Sequence, residues 1–235
     1  TVNASSGSLA VGSSAANTFT LNTTGNITVD GSNSRLSGVQ TMTINTTTGT
    51  ADLSGSKLGF QDAQTVVLGG TGTGATVLLN TLSGSASNMA LSISGLEGGV
   101  SAGNIHVNSG DLTIGAEAMT GELNVTSLKV SGAGSMIVST GSAGQFSAGT
   151  TNAAGSFSLD ASANTSGSSS ITLTTFSASG AVTISAGSGS GDITLADIEG
   201  ESTFTLDASN FGGTIDVGTL TAGGNVTVSM GSEGY

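Results

Sequence analysis

Residues 171–228 decide the fold, and divided into consecutive segments of equal length they read ITLTTFSASGA, VTISAGSGSGD, ITLADIEGEST, FTLDASNFGGT, IDVGTLTAGGN and VTV. Each segment opens on an apolar–polar–apolar triplet, which is the period-2 pattern of a strand with one buried face. Gly, Ser, Ala and Asn fill much of the space between the triplets, as turns require. The stretch therefore predicts short strands at a constant spacing of 11, separated by turns.

The odd and even triplets differ, which indicates that the true repeat has a spacing of 22. Five positions after its first residue, each odd triplet has an apolar side chain that the even triplets lack: Phe176, Ile198 and Leu220 against Gly187, Ser209 and Gly231. Two strands in each such repeat predict one coil of a parallel β-solenoid. The columns predicted to stack inside it are Ile171, Ile193 and Ile215, and also Val182, Phe204 and Val226.

The pattern extends upstream with looser spacing, so residues 1–235 are predicted to form a single repetitive β-domain. Steps of 11 recur from Leu112 to Leu123 and from Phe146 to Phe157. Residues 97–104 and 163–170 are irregular and are predicted to be loops. The absence of proline fits a solenoid, because the N–H groups of each coil donate to a neighbour. An antiparallel β-sandwich is the alternative fold, since closely and evenly spaced strands are also its signature.

Composition and charge exclude several classes of partner. Lys and Arg number 3 against 15 Asp and Glu, giving a formal net charge of −12. Nucleic acid is not an expected partner, because neutralising phosphates needs clustered cations. No apolar run reaches the roughly 18 residues that span a bilayer, so we expect no direct membrane insertion. The scarcity of Lys, Arg, His and Trp fits a long secreted protein built from small residues. We expect an extracellular, cell-surface location, with Thr1 opening a fragment of a longer protein.

Residues that could perform catalysis are scarce, and the chain is predicted not to be an enzyme. The single histidine, His106, lies in Ile105–Val107, where the alternation places it on the outer surface. Ser and Thr nucleophiles need an activating base, which the sequence hardly offers. Paired carboxylates, as in glycoside hydrolases, do not recur in register with the repeat among Asp192, Asp197, Asp207 and Asp216.

Ice binding is a remote alternative, because outward threonines recur along the strands. The series consists of Thr172, Thr183, Thr194, Thr205 and Thr227, and Asp216 interrupts it. The residues two positions further on are not a threonine array: Thr174, Ser185, Ala196, Asp207, Gly218 and Ser229. Thr also favours exposed strand positions when no ligand is involved.

Calcium is the only cofactor that the sequence raises. Residues 69–75, GGTGTGA, match the glycine frame of the calcium-binding nonapeptide GGxGxDxUx, with Gly74 at the position of the Asp. Calcium needs six or more oxygen ligands, with carboxylates among them. The weak surface candidates are carboxylates expected in turns or loops: Asp30, Glu97, Glu122, Glu199 and Glu201.

Two pairs of short motifs resemble those of bacterial RTX-type surface-layer proteins and giant surface adhesins. Gly38–Ile44 (GVQTMTI) and Asp62–Leu68 (DAQTVVL) repeat at a spacing of 24 and resemble a strand-opening motif that usually has Glu in place of the Gln. Phe157–Ser162 and Phe204–Ser209 resemble the LDAS turn of the same proteins. The resemblance implies type I export, a β-solenoid body and calcium-dependent assembly into a two-dimensional lattice.

The predicted function is therefore a self-assembling structural module of a surface-layer lattice, whose partners are copies of itself. A repeat segment of a large secreted adhesin or matrix fibre is the alternative. The two would differ in parts of the protein outside this sequence.

Overall fold

The computed structural model describes residues 2–4, 7–10, 14–15, 17–30, 35–55, 59–60, 62–84, 88–141, 145–167 and 170–231. Within these residues every regular element is a β-strand, and the strands pair in parallel. Parallel pairing rules out the antiparallel sandwich. The prediction of an all-β parallel β-solenoid is confirmed.

The described strands form two sheets, of eleven and thirteen strands, that wind around a common axis. The eleven-stranded sheet, called face A, consists of β1 (Val2–Ala4), β4 (Thr18–Thr23), β7 (Thr41–Thr46), β10 (Thr65–Gly70), β12 (Met89–Ser94), β14 (Leu112–Ala118), β16 (Met136–Thr140), β18 (Phe157–Ala161), β20 (Val182–Ala186), β22 (Phe204–Ala208) and β24 (Val226–Met230).

The thirteen-stranded sheet supplies two further faces, B and C. In the first coils these faces have separate strands, and later one long strand serves both. Face B begins with β2 (Gly7–Ala10), β5 (Ile27–Asp30) and β8 (Thr50–Leu53), and face C begins with β3 (Ser14–Ala15), β6 (Arg35–Ser37) and β9 (Gly59–Phe60). The long strands are β11 (Thr76–Gly84), β13 (Gly99–Val107), β15 (Glu122–Val130), β17 (Gln145–Ala153), β19 (Ile171–Ala178), β21 (Asp192–Gly200) and β23 (Thr214–Ala222).

Each long strand turns a corner where two consecutive side chains point outward. In β21, burial alternates as far as Leu195, both Ala196 and Asp197 are exposed, and burial resumes at Ile198. A strict period of 2 would send Ile198 outward, so the extra outward residue carries the second half of the strand onto face C. The apolar residue that follows each odd triplet is the first inward residue beyond this corner.

Inward side chains stack in columns along the axis, as predicted. Register partners are Ile171, Ile193 and Ile215 on face B, and Val182, Phe204 and Val226 on face A. These columns repeat at a spacing of 22. Upstream the step ranges from 19, between Val2 and Leu21, to 26, between Thr50 and Thr76, and a coil averages about 23 residues.

One predicted loop, residues 97–104, is largely a strand. Only Glu97 and Gly98 lie in a turn, and Gly99 opens β13. The hydropathy pattern is weak there because small residues occupy the buried position and the corner of the strand. Ala102 fills a buried position, and Gly103 stands at the corner, where an added Cβ would lie 2.7 Å from the carbonyl oxygen of Asn80. The second predicted loop is confirmed for residues 163–167 and 170, and residues 168–169 lie outside the described residues.

Candidate functional site

The outer surface of face A is built from short side chains in two columns. The first column reads Thr18, Thr41, Thr65, Ala90, Thr113, Ile137, Ser158, Thr183, Thr205 and Thr227. The second reads Thr20, Thr43, Val67, Ser92, Gly115, Ser139, Asp160, Ser185, Asp207 and Ser229. Parallel strands hold such columns in line, so face A presents two ordered rows of mostly short side chains to solvent.

The threonine series read from the sequence does not lie on one face. Thr183, Thr205 and Thr227 belong to face A, whereas Thr172 and Thr194 belong to face B, in the same column as Asp216. The interpretation as a single array is wrong, because successive triplets enter different sheets.

The two LDAS motifs end strands of face A with the same local hydrogen bond. Asp160 Oδ1 accepts from the Ser162 amide at 3.0 Å, and Asp207 Oδ1 accepts from the Ser209 amide at 3.1 Å. This is the Asx turn by which Asp fixes the backbone two residues further on. Hydrogen bonds from the side chain and the backbone of Ser209 lower the pKa of Asp207. Both aspartates are exposed.

The strand-opening motifs also stack on each other. Thr41 and Thr65 are register partners, as are Ile44 and Leu68. Before the strands, Asp62 Oδ2 accepts from the Gly38 amide of the preceding coil at 3.0 Å. The repeat at a spacing of 24 is therefore one coil, and Asp62 stabilises the turn that precedes face A.

The predicted calcium candidates lie in different parts of the fold. Glu97 lies in the turn before β13, Glu122 opens β15, Glu199 points outward from face C, and Glu201 follows β21. Asp30 ends β5, and its side chain lies outside the described residues. Glu97 and Glu122 share a turn region in neighbouring coils, since a Cβ added at Gly121 would lie 2.6 Å from the carbonyl oxygen of Glu97.

In the part of the chain that the structure describes, no three His, Cys, Asp or Glu side chains gather to hold an ion. The glycine frame at residues 69–75 spans the end of β10 and the following turn, in which Gly74 has a φ of +75°. Calcium remains a prediction, and it concerns carboxylates at the surface.

Two of the few basic side chains lie together in the middle coils. His106 and Lys129 are register partners on the outer surface of face C, and His106 Nε2 lies 2.8 Å from Ser131 Oγ. Partial burial and the charge of Lys129 lower the pKa of His106. Further along the axis, the same column of face C reaches Ser177 and then Glu199. This outer column of face C therefore changes from basic to acidic along the axis.

Sequence reasoning did not predict that the apolar side chains of β24, the last described strand, are exposed. Val226, Val228 and Met230 of β24 are 51%, 44% and 57% exposed. Their register partners Phe204, Leu206 and Ala208 are buried. The triplet Val226–Val228 has the same pattern as the triplets inside the stack, so hydropathy gives no sign that it lies at an edge.

Comparison of the chain with models of protein families, with curated proteins and with solved structures found no match. Among the residues that the structure describes, no helix is long and apolar enough to cross a membrane. A function therefore has to be inferred from the fold and the outer surfaces.

Proposed function

We propose that this chain is an extracellular structural module of a bacterial surface-layer lattice, in which copies associate through their outer faces with the help of calcium. One observation carries the proposal: residues 130–235 contain eight Asp and Glu and no Lys, Arg or His. Six of these carboxylates belong to the final described coils: Asp192, Asp197, Glu199, Glu201, Asp207 and Asp216.

The carboxylates of the final coils are all exposed, so a neighbouring copy would be able to contact them. Asp197 and Glu199 point outward from face C, and Asp216 points outward from face B. With no cation in this half of the sequence, two such surfaces repel each other. Physiological salt shortens the screening length to about 8 Å, which leaves repulsion at direct contacts.

A divalent cation shared between two copies would turn this repulsion into attraction. Calcium accepts six to eight oxygen ligands in flexible geometry, so each copy can supply part of the shell. No single chain then needs a complete site. This mode of binding also predicts that calcium changes association much more than it changes the stability of one chain.

Light scattering of the purified chain, with and without millimolar calcium at constant ionic strength, tests the proposal. We expect scattering to rise with calcium, to fall again with a chelator, and the melting temperature at high dilution to stay nearly constant. Magnesium at the same concentration is the control for screening, because it gives up its water ligands reluctantly. Identical scattering with and without calcium would contradict the proposal.

Charge-neutral variants locate the bridging surface. Asp197→Asn, Glu199→Gln and Glu201→Gln together should abolish most of the calcium response. A matched set that removes the same charge from the middle coils is Glu97→Gln, Glu117→Gln and Glu122→Gln. If only the second set removes the response, bridging occurs at the middle coils. Electron microscopy of cells then separates a periodic lattice from the isolated projections that an adhesin would form.

Ice binding stays a second candidate because of one feature of face A. Thr18 and Thr20 stack on Thr41 and Thr43 in register, which gives two adjacent threonine columns. The first column continues to Thr65. In the second column Val67 takes the place of a threonine, and the paired pattern ends there. Measurement of ice recrystallisation in the presence of the chain tests this candidate. A Thr43→Lys variant should remove any activity, and Thr194→Lys on face B should not.

A further inference from the structure

Face C differs from the other two faces in the signs of its charges. Its described outer side chains include two basic residues, His106 and Lys129, and two acidic residues, Asp197 and Glu199. The ionisable side chains described on the strands of the other faces are all carboxylates: Glu117, Asp160 and Asp207 on face A, and Asp52, Glu122, Asp192 and Asp216 on face B. Among these side chains, only the pairing of face C with itself gives both signs a partner.

The two signs lie apart in one straight outer column of face C. The column consists of register partners on successive strands: His106, Lys129, Asn152, Ser177, Glu199 and Thr221. Lys129 and Glu199 are three strands apart, which is about 14 Å at about 4.8 Å per strand. Both side chains are exposed, so each is open to contact from a second copy.

The surface between Lys129 and Glu199 is neutral and made of short side chains. Asn152 and Ser177 occupy this part of the column, and Thr150 and Thr175 occupy the neighbouring outer column of the same strands. No long side chain in these two columns therefore holds a second sheet away. Packed sheets approach to about 10 Å, a distance that Lys and Glu side chains projecting from opposite sheets can bridge together.

The order of the charges decides how two such faces fit. If the axes of the two copies ran parallel, Lys129 would face Lys129 and Glu199 would face Glu199, and like charges would repel. A two-fold axis parallel to the strands, between β17 and β19, instead reverses the order of the coils. Lys129 of each copy then faces Glu199 of the other, and Asn152 faces Ser177, an amide opposite a hydroxyl. The contact is isologous, so each of these pairs occurs twice.

We propose that two copies of this chain pair through face C with their axes antiparallel, so that Lys129 of each copy meets Glu199 of the other. The inference rests on the proposed function in that it names the surface and the orientation of one contact of a self-assembling module. It needs no calcium, because each copy supplies both charges. An isologous contact closes at the dimer, which leaves the acidic faces A and B on the outside.

Charge reversal, followed by sedimentation in chelator at low ionic strength, tests the pairing. Lys129→Glu and Glu199→Lys each place like charges opposite each other, and each should weaken dimerisation at least tenfold. The double variant with both substitutions brings the exchanged charges together and should dimerise nearly as the unmodified chain does. Both positions are exposed, so the melting temperature of the monomer should change little.

Glu122→Lys is the matched control for Glu199→Lys, because it makes the same change in net charge on face B. It should not weaken dimerisation. The proposal would be overturned by equal losses in Glu122→Lys and Glu199→Lys, by a double variant that fails to regain dimerisation, or by an unmodified chain that stays monomeric at all concentrations.

Chemical cross-linking tests the orientation, because the chain has no cysteine of its own. Asn104 and Thr219 lie in the neighbouring outer column, five strands or about 24 Å apart, and the antiparallel dimer brings them opposite each other. A mixture of the single variants Asn104→Cys and Thr219→Cys, treated in chelator with a bis-maleimide that spans about 10 Å, should give covalent heterodimers. Each variant alone should give at least tenfold less product. Efficient cross-linking of each variant to itself would indicate parallel axes and contradict the proposal.

The Lys129→Glu variant also separates this inference from the calcium proposal, because it keeps every carboxylate of the chain. Dimers in chelator with no effect of calcium on scattering would support the face C contact and contradict calcium bridging. A calcium response in a chain that is monomeric in chelator would support bridging and contradict the face C contact. If both proposals hold, Lys129→Glu should lose the dimer in chelator and still scatter more light when calcium is added.

Discussion

The coils that follow Ile171 and those between Thr41 and Ala161 hold the same interior with different coil lengths. After Ile171 the step from coil to coil is constant on both sheets, at a spacing of 22. Before it, successive steps on face A are 24, from Thr41 to Thr65, and 25, from Thr65 to Ala90. The inward columns nevertheless pass through both regions without interruption on face B.

The difference between the regions lies in their turns. Residues 209–213 connect β22 to β23, whereas the longer segment 162–170 connects β18 to β19. The additional residues of the longer coils therefore lie in the connections between strands. The alternation of inward and outward side chains within each strand is unchanged. The length of a coil is therefore set by its turns, whereas the inward columns are set by its strands.

The strongest test of the shared columns is to introduce a charge into the same inward column in two variants, one in each region. Ile193→Asp in the regular coils and Leu123→Asp in the irregular ones should both unfold the surrounding coils, because an unpaired buried carboxylate costs several kcal/mol. Both wild-type side chains are 0% exposed. Urea unfolding followed by circular dichroism would measure the loss as a lower midpoint in each variant.

The matched control is Thr194→Asp, one residue beyond Ile193 on the outer face. It should cost less than about 1 kcal/mol, most of it from repulsion by Asp216 in the same column. Equal effects of Ile193→Asp and Thr194→Asp would show that the strands do not alternate between core and solvent.

The next largest effect is expected where turns stack closely. A Cβ added at Gly213 would overlap the carbonyl oxygen of Gly191, and one added at Gly141 would overlap that of Glu117. Gly213→Ala in the regular region and Gly141→Ala in the irregular one should each lower the free energy of unfolding by about 1–3 kcal/mol, because backbone atoms must shift.

Gly212 is the adjacent control for this prediction. A Cβ there would meet Gly189 O at 3.9 Å, an ordinary contact, so Gly212→Ala should be neutral within about 0.5 kcal/mol. If Gly212→Ala and Gly213→Ala cost the same in thermal unfolding, the turns are not stacked as described.

A smaller effect of opposite sign is expected at a polar residue within the irregular coils. Thr151 lies in an inward column of face C between Leu128 and Phe176, and its buried hydroxyl has no hydrogen-bond partner. Thr151→Val should raise the free energy of unfolding by about 1 kcal/mol, because the variant has no hydroxyl to remove from water on folding. Thr150→Val on the exposed side of the same strand should change it little. A loss of stability in Thr151→Val would mean that the hydroxyl is satisfied.

The smallest effect is a pH dependence that only the middle coils should show. The pKa of His106 is lowered from 6.5 by burial and by Lys129, so the unfolded chain binds a proton more readily than the folded one. The free energy of unfolding should therefore fall slightly as the pH is lowered through 6.5. His106→Gln should remove this dependence, since His106 is the single histidine. An unchanged pH profile in His106→Gln would assign the dependence to carboxylates.

Sequence reasoning predicts the architecture because apolar spacing records which side chains stack. Spacing alone identifies Ile171, Ile193 and Ile215 as a column, and they are register partners. It does not identify the corner, because two consecutive outward residues such as Ala196 and Asp197 carry no distinctive chemistry. Ala102 and Gly103 give little hydropathy signal, so the pattern predicts a loop where β13 begins. The exposed edge at Val228 depends on what lies beyond a coil, and the local pattern does not contain that information.

The stacking of each coil on its immediate neighbours has a mechanical consequence. The first and last described strands lie at opposite ends of the stack, so tension between them pulls the terminal coils away along the axis and loads their ladders by peeling. Because each coil is held by its neighbours alone, coils should detach one at a time. Each detachment of about 22 residues would release about 70 Å of chain, from about 3.4 Å per residue less one interstrand spacing. The module would then act as an extensible tether that yields in steps.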